Sequence, residues 1–114
     1  MATPITNEPE FRRACSDVVA VARSILSGSI GVVAGARRLS RLRFDVRAED
    51  DPDFTFFVGV DSQTNHLPVG EVRRHWSADA LRAKDEELRD YEASVRERAF
   101  EMCRSLLQKY ENAG

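Results

Sequence analysis

Apolar residues recur with a helical period over most of the chain. Phe11, Cys15, Val18, Ala22 and Ile25 are spaced three or four apart. Ala14, Val19, Val21 and Leu26 widen that stripe, so the spacing predicts a helix over 8–26. Asn7 stands where an N-cap belongs, with Pro9 in the first turn and Glu10 at capping-box distance. Gly28 in "SGS" suits a left-handed stop, and Ser29 is placed to cap a second helix. The second helix is predicted over 30–46, with Val32, Val33, Ala36, Leu39, Leu42 and Val46 on its apolar face. So short a connection makes the two helices an antiparallel hairpin. Gly31 and Gly35 lie one turn apart, a spacing that suits close approach to a neighbouring helix, with Ala14, Ala20 or Ala22 as the expected contacts.

The pattern then changes. "RAEDDPDF" is an acidic hinge, and "FTFFVGV" has strand composition. A lone strand would leave its backbone groups unpaired. The helical reading is preferred: Asp51 as N-cap, Pro52 at the first position, Asp53 in the first turn. On that reading Phe54, Phe57, Val58 and Asp61 share a face. A short segment opens at Pro68, and Ser77 is expected to cap a long helix over 78–110. The stripe on that helix is thin at Leu81, Leu88, Tyr91 and Val95. It broadens from Ala99 to include Phe100, Met102, Cys103, Leu106, Leu107 and Tyr110. The last third is therefore core. The earlier turns are solvated, laced with pairs such as Asp85–Arg89 and Glu92–Arg96. The predicted fold class is mainly α: a helical hairpin, a short central helix or strand, and a long C-terminal helix. It forms one domain over 1–114, with residues 1–6 flexible and 111–114 frayed.

Composition narrows the function classes. An apolar content of 42% over 114 residues suffices for one core. A net charge of −2 sets up no global attraction for nucleic acid or anionic membrane. No apolar run approaches bilayer length, and the acidic N-terminus does not resemble a signal peptide, so a cytoplasmic location is expected. Cys15 and Cys103 fall on apolar stripes and read as buried hydrophobes rather than a disulfide.

Charge is uneven along the chain. Residues 12–47 hold an excess of six positive charges, and residues 48–70 carry five acids and no Lys or Arg. Arg37, Arg38, Arg41 and Arg43 form the candidate basic patch, which suits RNA or an acidic partner. Nucleic acid is disfavoured, because only Phe44 interleaves the arginines; neutralisation of the second helix by the acidic hinge is the preferred reading.

The loop "DSQTNH" concentrates polar chemistry. Asp61, His66 and His75 offer three metal ligands, but at no standard spacing. Ser62 and His66, with Asp61 or Glu71, offer a hydrolytic triad without flanking elbow glycines. A structured turn explains the residue types better. Asp61, Ser62, Thr64, Asn65, His66, Arg73 and Trp76 form a candidate binding surface, although Trp76 by itself reads as core more readily than as an interface anchor. No metal and no cofactor is expected. The apolar stripe at Leu81, Leu88, Tyr91 and Val95 predicts a homodimer by antiparallel pairing, unless the segment 54–76 folds back over it. The expected function is a non-catalytic protein–protein interaction module. The alternatives are a small enzyme or metal-dependent hydrolase centred on Asp61 and His66, or an RNA-binding module using helix 37–47.

The stretch "ILSGSIGVVAGARRLSRL" and the following "DPDFTFFVGVDSQTNHLPVGEVRRHW" resemble a family of small bacterial proteins of unknown function. The matching residues are Gly28, Gly31, Gly35, Ala36, Arg37 and Leu39, then Phe57, Val58, Asp61, Ser62, Thr64, His66, Leu67, Pro68, Gly70, Arg73 and Trp76. The resemblance covers 23–77. Gln63 and Asn65 stand where the family's pattern carries Glu and Asp. It implies no activity. Small bacterial proteins of this type are sometimes immunity partners of toxins, so an immunity or adaptor role is an expectation by association.

Overall fold

The computed structural model describes residues 8–112. Within them lie four α-helices: α1 (Glu8–Ser27), α2 (Val32–Asp45), α3 (Pro52–Gln63) and α4 (Ala78–Tyr110), with a 3-10 helix (Gly70–His75) between α3 and α4. No strand occurs among the described residues, so the mainly α expectation holds and "FTFFVGV" is helical. The expected cap at Asn7, the expected flexibility of 1–6 and the expected fraying at 113–114 lie outside the described residues.

Local chemistry accounts for α3. The Asp51 carboxylate accepts from the Asp53 N–H at 2.9 Å, and Pro52 stands at the first helical position. Phe54 and Phe57 are fully buried. Ser77 caps α4 in the same way, accepting from the Ala80 N–H at 3.1 Å. After α1, Gly28 takes φ +83°, the left-handed conformation glycine adopts without strain.

The start of α2 differs from expectation. Ser29 does not cap it; its hydroxyl pairs with that of Ser27 at 2.8 Å. The N-cap is Gly31, which has no capping side chain. A carboxylate from 59 residues away does that work: Glu92 Oε2 accepts from the Val33 N–H at 2.9 Å. A Cβ on Gly31 would lie 2.6 Å from that oxygen, so the glycine makes room for the cap, and the negative charge also suits the helix dipole. Gly35 does permit close approach, but against Ile25 rather than an alanine.

The core is one cluster in which α1 packs between α2 and α4, and α3 packs on α2 and α4. Ala99, Cys103 and Leu106 of α4 are buried in it with Cys15, Val18 and Ala22 of α1. Burial pushes the Cys103 thiol up to about 12, and both cysteines are free thiols. Glu111, expected to fray, donates its N–H to the Leu107 carbonyl and pairs with Arg23 at 2.6 Å. The molecule measures 57 × 28 × 22 Å. Its long axis matches α4, which spans about 50 Å at 1.5 Å per residue. No described helix is long and apolar enough to cross a membrane.

Candidate functional site

The loop after α3 is built around Thr64. Its side chain is buried, and its hydroxyl donates to the Val60 carbonyl at 2.7 Å. The Leu67 N–H returns to the Thr64 carbonyl at 2.9 Å, and Leu67 is buried beside it. Arg37 of α2 closes the arrangement. Its guanidinium donates to the Thr64 carbonyl, to the Leu67 carbonyl at 2.8 Å, and meets Asp61 Oδ1 at 3.3 Å. A cation thus sits on the carbonyl end of α3, where the dipole favours it. Arg37 is a tie between helices, and its side chain is only 19% exposed. The signal for this was present in the sequence: Arg37 lies four residues after Val33 and three before Ser40, both buried, so it borders the apolar face.

The other loop residues point to different partners. His66 Nε2 lies 2.6 Å from Glu87 Oε2, Gln63 accepts from the Tyr91 hydroxyl at 2.9 Å, and Ser62 and Asn65 are exposed. Asp61 is held by Arg37 and His66 by Glu87, so neither reaches the other or Ser62 among the described hydrogen bonds. The described residues contain no group of three His, Cys, Asp or Glu able to hold a metal.

Arg73, in the 3-10 helix, makes two parallel bonds to Asp85 of α4 at 2.7 and 2.8 Å, and a third to the Pro68 carbonyl at 3.2 Å. The hydrogen bond from Arg73 holds the Asp85 carboxyl below its ordinary range and raises Arg73 in return. Glu87 is lowered in the same way, first by His66. Segment 63–76 therefore lies along α4 as an arm with three polar ties. Asp85 and Glu92 serve Arg73 and Val33 rather than their neighbours Arg89 and Arg96, because tertiary partners offer them better-placed donors. Trp76 is half-buried and is not among the side chains packed on the core. Leu88, Tyr91 and Val95 are half-buried against the core, and Leu81 is half-buried apart from it.

The basic patch divides. Arg43 donates to Ser40 and lies 4.1 Å above the Phe44 ring. Arg47 lies 4.8 Å above Phe11. Arg38 and Arg41 are exposed. The acidic hinge does not neutralise α2. Asp51 and Asp53 each meet Lys109 of α4 at 2.9 Å, and Asp53 also accepts from the Ser105 hydroxyl. The reason is position: the first turn of α3 faces the last turns of α4. Burial opposes the Lys109 charge, but its bonds to Asp53 and Asp51 outweigh it and raise its pKa.

Two depressions flank the α1–α2 seam. One of about 390 Å³ is lined by Phe11, Arg13, Phe44 and Arg47 among others. The other, of about 380 Å³, is lined by Asp17, Ala20, Val21, Arg38, Arg41 and Leu42. Compared with protein-family models, curated proteins and solved structures, the chain matches none.

Proposed function

We propose that the chain is a non-catalytic binding protein whose partner is another protein, working in the cytoplasm without a cofactor. The observation that supports this most is where the loop's polar groups are used. Asp61, His66 and Arg73 each bond to another element of the chain, and the Thr64 hydroxyl closes the end of α3, which rigidifies a surface without converging on a cavity. A pre-ordered surface lowers the entropic cost of association. Of the predicted surface, the exposed Ser62 and Asn65, with half-buried Trp76, are left to meet a partner. The likeness to the small bacterial family of unknown function belongs to this proposal and brings no activity with it. A homodimer through the α4 stripe has less to drive it than the sequence suggests, because Leu88, Tyr91 and Val95 already rest on their own chain.

A second reading, RNA binding through α2, draws on the exposure of Arg38 and Arg41. Affinity capture from a lysate of the source organism separates the two. The proposal expects one protein retained in near-stoichiometric amount after nuclease treatment. Capture that disappears with nuclease would replace it with the RNA reading.

A further inference from the structure

We propose that the α1–α2 groove bearing Arg38 and Arg41 docks an acidic amphipathic helix of a partner protein; this rests on the interaction reading above and gives it a surface. The segment "RRLSRLRFDVR" holds five arginines. Three have work within the chain: Arg37 ties the loop after α3, Arg43 bonds Ser40, and Arg47 covers Phe11. Arg38 and Arg41 make no ion pair or hydrogen bond among the described residues, and both line the same depression of about 380 Å³. They stand three residues apart on α2, so their forks lie side by side along one helix face. Ala20, Val21 and Leu42 supply the apolar lining, and Asp17 is the single acid there.

Charge and shape together select the occupant. Two guanidiniums that make no ion pair among the described residues, with Asp17 the one acid in the lining, call for paired anionic groups. The aliphatic residues in the same lining call for an apolar side chain. A helix with carboxylates three or four residues apart and a leucine on the same face supplies both, and a seam between two antiparallel helices is a natural seat for a third. A nucleic acid would want stacking surfaces. The lining of this groove has no aromatic; Phe44, 53% exposed with Arg43 stacked on its ring, lines the other depression. The competing occupant is α4 of a second copy, where Glu86 and Asp90 are exposed at helical spacing.

The test uses a synthetic helical peptide carrying Leu between Glu residues, a control with every Glu changed to Gln, and a single-stranded oligouridine. Binding to the full chain is read by fluorescence anisotropy, for the wild type, Arg38→Gln/Arg41→Gln and Arg38→Glu/Arg41→Glu. Both positions are exposed, so all three should unfold at the same temperature. The acidic peptide should bind the wild type, and the control peptide or the Gln variant should bind about tenfold more weakly. The Glu variant should be weaker still. Equal binding to all three chains, no binding of the acidic peptide, or tighter binding of oligouridine would overturn the proposal. So would self-association of the wild type that the variants lose. In lysate capture, a partner held equally by the wild type and the Gln variant overturns the groove and leaves the interaction reading standing. A wild type that captures no protein removes both.

Discussion

In the last third of α4, Ala99, Cys103 and Leu106 are fully buried between α1 and α3. In the first two-thirds no residue is buried. There Asp85, Glu87, Tyr91 and Glu92 hold Arg73, His66, Gln63 and the start of α2. One backbone thus runs through two regimes. The first is dominated by non-directional burial, with the buried Asp53 carboxylate matched to Ser105 and Lys109, and it reads out as stability. The second is directional bonding at a half-wet surface, where each tie is worth little alone and the set fixes the position of an arm. The difference teaches where a variant should unfold the protein and where it should only loosen a surface.

The largest expected effect sharpens that contrast. Leu106→Ala should cost about 2–5 kcal/mol, the range for truncating a fully buried leucine. Leu88→Ala, at a half-buried site, should cost clearly less. Urea denaturation of both measures the gap, and equal costs would erase the distinction between the two regions. Next comes Arg37→Ala. It strips the Leu67 carbonyl of its donor, leaves the Thr64 carbonyl with the Leu67 N–H alone, and should cost about 1–3 kcal/mol. It should also raise exchange of the loop amides before those of the core. Smaller again is Glu92→Ala, which uncaps α2 from across the fold. A lost N-cap costs about 0.5–2 kcal/mol, and the fraying should appear at Val32 and Val33 in amide exchange.

The smallest effect concerns pH. Asp85 and Glu87 are both held below the ordinary carboxylate range. Their contribution is therefore complete above that range and is lost as pH falls through their lowered values. Both ties are partly open to solvent, so the arm should loosen in acid with little change in global stability. Side-chain carbonyl shifts followed by NMR against pH check the sign. Titration of either group at or above the ordinary carboxylate range would contradict the ties.

What was legible in the sequence was local. Asp51-Pro52-Asp53 announces the start of α3, Ser77 the start of α4, and Gly28 the end of α1, because each acts on backbone within a few residues. The helical reading of "FTFFVGV" followed from those caps and from the lack of a pairing strand. What escaped was distant in sequence. Glu92 capping α2 spans 59 residues, and no pattern near Ser29 reveals that its place is taken. The division of the arginines escaped for the same reason. Arg37 and Arg38 are adjacent and chemically equal, and only the arrival of the Thr64 and Leu67 carbonyls from the loop after α3 separates a tie from a free cation. Lys109 meeting the acidic hinge likewise depends on how α3 and α4 lie together.

The central claim is that α4 is one helix held in two different ways. Native-state hydrogen–deuterium exchange along α4, in the wild type and in Arg73→Ala, tests it most directly. The account predicts that amides from Ala99 to Leu107 exchange only by global unfolding in both proteins. Those from Leu81 to Val95 should exchange through local opening, faster in the variant. Uniform protection along the whole helix, or acceleration in the variant that extends equally into Ala99–Leu107, would contradict it.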